Sequence, residues 1–382
     1  MLKKRTKTVS LNTCSEKVVT IGIAATPVEK EEIYRLRYRT YAEEMSYPLT
    51  YADHKNKLLY DELDNWGILL YAKIDSKIVG TMMVNIGSIS EFPDDLAHHL
   101  CLDRFQQSYN GTDGFRVAYI SKGIIDPAYR NTPVFNLLSE KSYEIYCEHQ
   151  VQFSFGICNF YLLPLHEHFG YRRFGRISVD QSYGTIAQIV LLPDDIEHLR
   201  AVGSLFYNMA QKRENLNRST ANWFNTEFPE TRTTINSQLI TEDQLWDIMC
   251  TRLGKPPNKA IYILYGLSEM EARRVLHSCG VIIQCHENDY ITTCESISNE
   301  INILLSGRVN SLTAVDQKSE TILPGQHFGA IGLVNRDKHA SNIIAATAAE
   351  ILILSRHLFR KFSRSHPETT NKLLQNLANY HI

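Results

Sequence analysis

The first half of the chain has one segment in which charged and aromatic side chains are spaced so that they could bind and activate a substrate. An arginine and two tyrosines precede two aspartates that stand three residues apart: Arg37, Tyr41, Tyr47, Asp61 and Asp64. A guanidinium binds a carboxylate or phosphate through paired hydrogen bonds, and a carboxylate can accept a proton. The same spacing fits a surface helix with an aromatic stripe and a solvated acidic loop. The sequence leaves both interpretations open.

A second segment, Ser121 to Arg130, is predicted to be a strand that runs into a turn and a helix. The edge of such a strand can hydrogen-bond an extended ligand, and the amides that begin the helix can attract a phosphate. This helix start contains Pro133, which has no N–H, and the bulky Phe135. We therefore expect a weaker phosphate cradle than a glycine-rich turn would form.

A third segment, Leu163 to Tyr171, places His166 on a helix-like piece. An imidazole with a pKa near ~6.5 can donate or accept a proton at neutral pH. His166 is therefore a candidate proton donor or acceptor, and an ordinary partly buried histidine is the alternative.

Hydrophobic periodicity predicts the elements that would position these segments. The predicted helices are 29–44, 134–150 and 163–169, and the predicted strands are 67–73, 78–84, 115–125, 153–158, 172–179 and 184–192. This order predicts an α/β sheet that contains a splayed strand pair.

The order of elements and the three segments resemble the GNAT-type acyltransferases over roughly Val28 to Leu192. Within that superfamily they resemble the acyl-homoserine-lactone synthases and the long-chain N-acyl amino acid synthases. The resemblance implies a GNAT-like mixed sheet with helices, of α/β or α+β class. It also implies catalytic roles for His166, Asp61, Asp64 and Ser121, substrate binding by Arg37, Tyr41, Tyr47 and Lys122, and cofactor binding by Ile124, Ile125, Arg130 and Asn131.

The chain departs from that family at several positions. Tyr119 stands where the synthases have a strand glutamate, Lys122 replaces an arginine, and His166 replaces the usual tyrosine. An attacking amine must be neutral, so a base is needed. The base stays unassigned, with Asp61, Asp64 and His166 as candidates.

The turn after the second segment bears on the acyl donor. The family has a glycine-containing pattern there, whereas this chain has Arg130-Asn-Thr-Pro-Val-Phe135. The phosphopantetheine of a carrier protein lacks the adenosine and pyrophosphate of coenzyme A. The altered turn therefore favours an acyl-carrier-protein thioester over acyl-coenzyme A as the donor.

The last third contains a turn-rich stretch, Ile322 to Val334, with a Pro324-Gly325 turn and a Phe328-Gly329 pair. It is typical of a turn whose backbone surrounds a phosphate but which lacks the charged side chains that would bind the ligand. Around it, the sequence predicts a capped helix from Ser268, strands at 301–305, 308–312, 342–347 and 350–354, and helices at 358–362 and 372–379. Together these elements predict a small β jelly-roll barrel with flanking helices.

Those residues resemble the cyclic-nucleotide-binding domains over roughly Asn258 to Ile382. In that family a glutamate follows the Phe-Gly pair and an arginine binds the cyclic phosphate; here Ala330 follows Gly329, and His339 takes the place of the arginine. A methyl group accepts no hydrogen bond, and a neutral imidazole replaces a guanidinium poorly. We therefore do not expect ordinary cyclic-nucleotide binding, unless Lys338 or Arg336 takes the place of the phosphate-binding arginine. The favoured interpretation is a barrel used for packing or dimerisation.

Composition excludes several classes of protein. The 382 residues carry 40 basic and 42 acidic side chains, which predicts no nucleic-acid partner. No apolar run approaches the ~18 residues of a membrane helix, and the basic start lacks the apolar core of a secretory signal. The eight cysteines form no Cys-x-x-Cys pair. They indicate reduced thiols, a cytoplasmic location and no metal site.

These observations divide the chain into four predicted regions. They are a disordered basic tail at 1–20, a GNAT-like acyltransferase domain at 21–195, a helical linker at 196–257 and a cyclic-nucleotide-binding-like barrel at 258–382.

The leading hypothesis is an N-acyltransferase that moves a fatty acyl group from a thioester to a small amine such as an amino acid, with a regulatory or structural barrel. An acyl-carrier protein and a homodimer are compatible partners. One alternative is a non-catalytic ligand-sensing or scaffold protein with a decayed transferase half. The other is a protein lysine acetyltransferase gated by cyclic nucleotide.

Overall fold

The computed structural model describes residues 6–11, 17–109, 115–312 and 322–379. The chain forms two compact units. The first comprises Met1–Ile157, Phe169–Tyr171 and Ile189–Phe228, and the second comprises Cys158–His168, Arg172–Gln188 and Pro229–Ile382. The predicted bounds of the four regions stay predictions.

The strands, in chain order, are β1 (Lys7–Leu11), β2 (Lys17–Ile23), β3 (Ile68–Ile74), β4 (Lys77–Gly87), β5 (Val117–Ile125), β6 (Phe153–Cys158), β7 (Arg172–Asp180), β8 (Gly184–Leu191), β9 (Gly280–Cys285), β10 (Tyr290–Thr292), β11 (Glu300–Ser306), β12 (Val309–Leu312), β13 (His327–Phe328), β14 (Asn342–Ala345) and β15 (Ala349–Ser355). The helices are α1 (Pro27–Tyr38), α2 (Asp94–His99), α3 (Leu102–Ser108), α4 (Val134–Glu148), α5 (Leu163–Phe169), α6 (Ile196–Ala201), α7 (Tyr207–Ala210), α8 (Ser219–Glu227), α9 (Glu242–Leu253), α10 (Pro257–Ala260), α11 (Glu269–Cys279), α12 (Arg356–Ser365) and α13 (Pro367–Asn379).

The first unit is built on a mixed sheet. Strands β1 to β6 follow one another in sequence order, and the last residues of β8 lie beside β6. Pairing from β1 to β5 is antiparallel, whereas β5 and β6 are parallel. The sheet confirms the predicted mixed α/β architecture.

Helix α1 packs on this sheet. It begins at a capping box in which Thr26 and Glu29 cap each other, with Pro27 in its first turn. Ile33 and Leu36, three residues apart, are buried against side chains of β3, β4 and β5. Each such buried side chain stabilises the fold by about 1.5–3 kcal/mol. The helix therefore fixes the backbone on which Arg37 stands.

Pairing between β5 and β6 is short. Among the described residues it covers Val117 to Tyr119 on β5, opposite Phe153 to Phe155 on β6. Beyond Tyr119 these two strands no longer pair, so the β6 side of residues 120–123 is a strand edge. The register between these strands thus ends early, and the splayed strand pair that the sequence predicts stays a prediction.

The prediction of a disordered tail at 1–20 is wrong for the part that the structure describes. Strand β1 pairs antiparallel with β2, from Lys7 opposite Ile21 to Leu11 opposite Lys17. The β-branched valines and threonines of both segments favour strands. Residues 1–5 and 12–16 lie outside the described residues.

The second unit contains the predicted barrel. Two antiparallel sheets, ordered β10-β14-β12 and β13-β11-β15-β9, are accompanied by α11 before them and by α12 and α13 after them. Ile301, Ile303 and Leu352 are among the residues of one buried core with side chains of α9, α11 and α12. In the same unit, β7 lies beside the first residues of β8.

A buried ion pair joins three segments of this second unit. Glu167 on α5 is 2.9 Å from Nε of Arg173 on β7, and its Oε2 accepts a hydrogen bond of 2.8 Å from the amide of Ser237. Both charged side chains are removed from water, so each depends on the other for compensation.

We predict that Glu167→Ala lowers the free energy of unfolding by about 3–5 kcal/mol, because it leaves Arg173 buried without its carboxylate. Urea denaturation measures this change. The control is Glu197→Ala, which breaks an exposed pair with Arg200 and should cost less than about 1 kcal/mol. Equal losses in the two variants would contradict the prediction.

Candidate active site

The two aspartates of the first segment cap one short helical turn. Residues Glu62–Asn65 form a 3₁₀ turn whose N-cap is Asp61. Asp61 Oδ1 accepts the amide of Leu63 at 3.1 Å, and Asp64 Oδ2 accepts the amide of Asp61 at 3.0 Å. Their spacing is therefore that of a reciprocal capping box. The interpretation as a solvated acidic loop is wrong for Asp64, which is buried.

Arg37 and Lys122 converge on these carboxylates. Arg37 Nη1 lies 2.6 Å from Asp64 Oδ1, and Lys122 Nζ lies 2.6 Å from Asp61 Oδ1 and 2.9 Å from Asp64 Oδ2. The side chains of Arg37, Lys122 and Asp64 are at most 5% exposed, whereas that of Asp61 is 28% exposed. We call these four residues the charge cluster. Its formal charges sum to zero.

The cluster controls the ionisation of Asp64. Desolvation by itself would raise the pKa of this carboxyl, but attraction and hydrogen bonding by Arg37 and Lys122 outweigh it and lower the pKa below its ordinary value. Asp64 is therefore held as a carboxylate at neutral pH. Its two oxygens are occupied by Arg37, Lys122 and the Asp61 amide.

A β-bulge brings Lys122 into the cluster. Met83 of β4 pairs with Ser121, but Thr81 pairs with Ile124, so β5 contains one extra residue between these pairs. Lys122 adopts φ 53° there, a left-handed conformation that costs a non-glycine residue about 1–3 kcal/mol. In a regular strand Lys122 would point away from the face used by Ser121. The bulge lets its ammonium reach Asp61 and Asp64.

Three side chains, one in the cluster and two on β4 and β5, have buried polar atoms that lack hydrogen-bond partners within the described part of the chain. They are Nε and Nη2 of Arg37, Oδ1 of Asn85 and Oγ of Ser121. Asn85 uses its other side-chain atom, Nδ2, to donate to the carbonyl of Leu63 at 2.9 Å. A ligand that carries a carboxylate and a hydrogen-bond donor would match this set. Sequence reasoning missed Asn85, whose strand gives no local signal of this contact.

Tyrosines surround the arginine side of the cluster. Arg37 stacks on the ring of Tyr34 at 5.5 Å, and desolvation, aided by Asp64, raises the pKa of Tyr34. The rings of Tyr41 and Tyr47 lie 5.9 Å apart, and desolvation raises the pKa of Tyr41. Sequence reasoning named Tyr41 and Tyr47 but missed Tyr34, although its position three residues before Arg37 puts it on the same helix face.

The predicted cofactor-binding residues lie at the end of β5 and in the turn after it. Ile124 and Ile125 are buried strand residues. Arg130 forms a two-pronged ion pair with Glu44, at 2.6 and 2.5 Å, and its Nε donates to the Ile125 carbonyl at 3.2 Å. Asn131 has φ 65°. Arg130 is thus engaged by protein groups.

His166 belongs to the second unit, whereas the charge cluster belongs to the first. Desolvation lowers the pKa of His166 to about 4, so its imidazole is neutral at pH 7. Its assignment as a proton donor stays a prediction.

The candidate nucleotide-binding residues lie in the barrel. Gly329 has φ 72°, and the amide of Ala330 donates to Nδ1 of the buried His339 at 3.0 Å. A Cβ placed on Gly329 would lie 2.8 Å from the same Nδ1. The imidazole therefore packs directly into the turn that the sequence predicts as a phosphate cradle.

Within the described ranges no group of His, Cys, Asp and Glu side chains has the arrangement of a metal site. None of the helices found there has the length and apolarity needed to cross a bilayer.

We predict that Asp64→Asn destabilises the protein by about 3–5 kcal/mol at pH 7, because two buried cations then share one carboxylate. Because the pKa of Asp64 is lower in the folded protein than its unfolded-state pKa of ~3.9, its ionisation stabilises the fold above that pH. This stabilisation is lost as the pH falls through the folded-state pKa. The difference from wild type should therefore shrink as pH falls below about 4. Urea denaturation across pH measures it, with the exposed Asp95→Asn as control; a constant difference contradicts the prediction.

Two family models match separate parts of the chain. Residues 32–193 match the model described as N-acyl amino acid synthase FeeM, and residues 282–366 match the cyclic nucleotide-binding domain. Comparison with curated proteins gives no match.

Solved structures are similar to each part. FeeM, an N-acyl amino acid synthase from uncultured soil microbes, is 13% identical with a TM-score of 0.40, over 52% of this chain and 99% of that chain. The CoA-dependent acyl-homoserine lactone synthase BjaI is 12% identical with a TM-score of 0.37, over 50% and 90%. A cyclic nucleotide-binding domain from Methylobacillus flagellatus is 19% identical with a TM-score of 0.29, over 36% and 74%.

The family matches confirm both resemblances that the sequence predicts, and they confirm the acyltransferase class. The chain thus contains a segment, residues 32–193, that matches the N-acyl amino acid synthase model, and a separate segment, residues 282–366, that matches the cyclic nucleotide-binding model.

Proposed function

We propose that the first unit transfers an acyl group from a carrier-protein thioester to the amino group of an amino acid, and that the charge cluster orients the acceptor. The observation that carries this proposal is the position of the cluster. Lys122 lies at the bulge of β5, three residues after Tyr119, the last residue of β5 in the register with β6. The ammonium group of the charge cluster and the strand edge of residues 120–123 thus belong to the same short part of β5.

The strand edge is the proposed binding place of the donor. Backbone groups of residues 120–123 that have no partner on β6 can hydrogen-bond the amides of a pantetheine arm, as an added strand would. Coenzyme A also carries a pyrophosphate, which a free guanidinium next to this edge would bind. Arg130 lies in the turn after β5, but it is paired with Glu44. Helix α4 has Pro133 as its N-cap and no side-chain cap. These features favour a carrier-protein donor.

The acceptor is proposed to bind through Arg37. Its Nε and Nη2 have no acceptor among the described residues, and a buried unsatisfied donor costs about 1–3 kcal/mol. The carboxylate of an amino acid would satisfy both donors at once. Tyr34, Tyr41 and Tyr47 would then line the acceptor side, which suits an apolar or aromatic side chain. The matched family is described as synthases of N-acyl amino acids.

The reaction requires one proton to leave the amine and one to reach the leaving thiolate. The neutral amine attacks the thioester carbonyl, a C–N bond forms, the C–S bond breaks, and the carrier leaves as a thiol. We assign proton removal to Asp61, because Asp64 is fully engaged and Asp61 is the more exposed carboxylate. Lys122, which lies 2.6 Å from Asp61, positions that base.

We predict that the full-length protein releases free thiol from an acyl-carrier-protein thioester in the presence of an amino acid. Lys122→Met should lower turnover by on the order of 100-fold, since it frees Asp61 from its position. The matched control is Lys141→Met, because Lys141 is equally buried and also pairs with a carboxylate, Glu144 at 2.9 Å. The control should keep turnover within about threefold of wild type. Absence of turnover with carrier and coenzyme A donors alike would refute the proposal.

The barrel is proposed to have a regulatory or structural role without ordinary cyclic-nucleotide binding. The cradle amide of Ala330, which would face a phosphate, is already bonded to His339 Nδ1. Nε2 of the same ring lies 3.8 Å from Glu300. The chain's own side chain therefore occupies the place where an anion would have to bind.

We predict that cyclic AMP and cyclic GMP leave the thermal unfolding temperature unchanged. A ligand at ~100 times its dissociation constant would stabilise the folded protein by ~2.7 kcal/mol, which a thermal scan detects. The double variant Ala330→Glu with His339→Arg removes the imidazole and adds both charged groups of the family pattern. It should gain a nucleotide-dependent shift; a shift in the wild-type protein would show the prediction to be wrong.

A further inference from the structure

The second unit contains a cavity that none of the roles above uses. Its volume is about 660 Å³, within the range of about 300–1,000 Å³ that small-molecule sites occupy. Its walls come from β7, from residues 230–234, from β9 and from the start of β15. We call it the β7–β9 cavity. It is formed by different residues from the cradle that His339 fills.

The residues that line the cavity include both apolar and charged side chains. Phe160, Phe174, Ile177 and Ile283 contribute apolar surface. Sites for small organic ligands have this composition, with apolar walls that hold the body of the ligand and a few polar groups that fix its orientation.

Three arginines line the cavity, and two of them are occupied by protein groups. Arg173 forms an ion pair with Glu167 and donates hydrogen bonds to the carbonyls of Ile282 and Ile235. Arg252 pairs with Glu350 through Nε and Nη2. These two arginines therefore have structural roles.

Arg176 differs from the other two. Only its Nη2 is used, by Asp289 Oδ1 at 3.2 Å and by the Glu287 carbonyl at 3.5 Å. Its Nε and Nη1 make no hydrogen bond to the described residues. Asp289 is itself shared, because its Oδ2 accepts the amide of His286 at 2.7 Å. Arg176, whose side chain is 65% exposed, thus brings to the cavity a positive charge with two donor atoms that the described protein groups do not use.

We propose that the β7–β9 cavity binds a small amphipathic acid, with the apolar chain against Phe160, Phe174 and Ile283 and the carboxylate on Arg176. Two sources share this chemistry, a free medium-chain fatty acid and an N-acyl amino acid. The second source rests on the proposed function, because it would be the product of that reaction. The ligand would contact both β7 and β9, two strands that Arg173 already links through its 2.7 Å bond to the Ile282 carbonyl.

The test is calorimetric titration of the full-length protein with sodium decanoate and, separately, with N-decanoylglycine. At least one acid should bind, and methyl decanoate, which has no charge, should bind at least tenfold more weakly. Arg176→Gln should weaken binding of the acid at least tenfold. The matched control is Arg200→Gln in the first unit, since both arginine side chains are 65% exposed; it should bind as wild type does.

A second variant tests the cavity itself. Ala348 is an exposed residue of the lining, and Ala348→Trp should fill the space and abolish binding. If neither acid binds, or if Arg176→Gln and Ala348→Trp both bind as wild type does, the proposal is overturned.

Binding of decanoate alone would identify a fatty-acid site, and binding of decanoylglycine alone an acyl-amino-acid site. The Lys122→Met variant should still bind the acid at the cavity, because Lys122 is not one of the residues that line it. Failure of the turnover assay would therefore count against the proposed function, whereas failure of the titration would count against the cavity proposal.

Discussion

The burial of two cations and one carboxylate beside β5, with a second carboxylate partly exposed, is the constraint on which the first unit depends. Removing an ion from water costs several kcal/mol, and this cost is offset only when each charge meets a partner at close range. Arg37, Asp64 and Lys122 satisfy that condition through contacts of 2.6 to 2.9 Å. The network therefore holds α1, the 62–65 turn and β5 together. Among the described residues it leaves Nε and Nη2 of Arg37 without a hydrogen-bond acceptor.

Strand β5 links this network to the proposed donor site. Its bulge places Lys122 in a left-handed conformation, and the end of its pairing with β6 at Tyr119 leaves the following residues paired with β4 alone. Strained backbone persists only where its surroundings over-determine it, and here two carboxylates hold the lysine. The bulge and the splay thus create a polar group and a strand edge within three residues of each other.

The barrel combines two antiparallel sheets and flanking helices with a turn in which a buried histidine accepts the amide of Ala330. Its sheets and flanking helices surround a continuous apolar core, which does not depend on any ligand. The turn that holds Gly329 and Ala330 is completed by His339 instead. Arg176, whose Nε and Nη1 make no hydrogen bond to the described residues, lines the separate β7–β9 cavity.

The sequence by itself determined the types of most elements and the resemblance of two segments to known families, because hydrophobic period, capping residues and motif spacing are local properties. It named Asp61 and Asp64 as catalytic candidates and Arg37 and Lys122 as substrate-binding candidates, without showing that the four form one cluster. It failed for the tail, where β1 gains its partners only by pairing with β2, and it missed Tyr34 and Asn85. Only the tertiary structure decided which charges pair, that Arg130 is engaged by Glu44, and that His339 fills its own cradle. Those outcomes depend on distances between residues far apart in the chain, and the burial that makes such pairs obligatory exists only once the chain has folded.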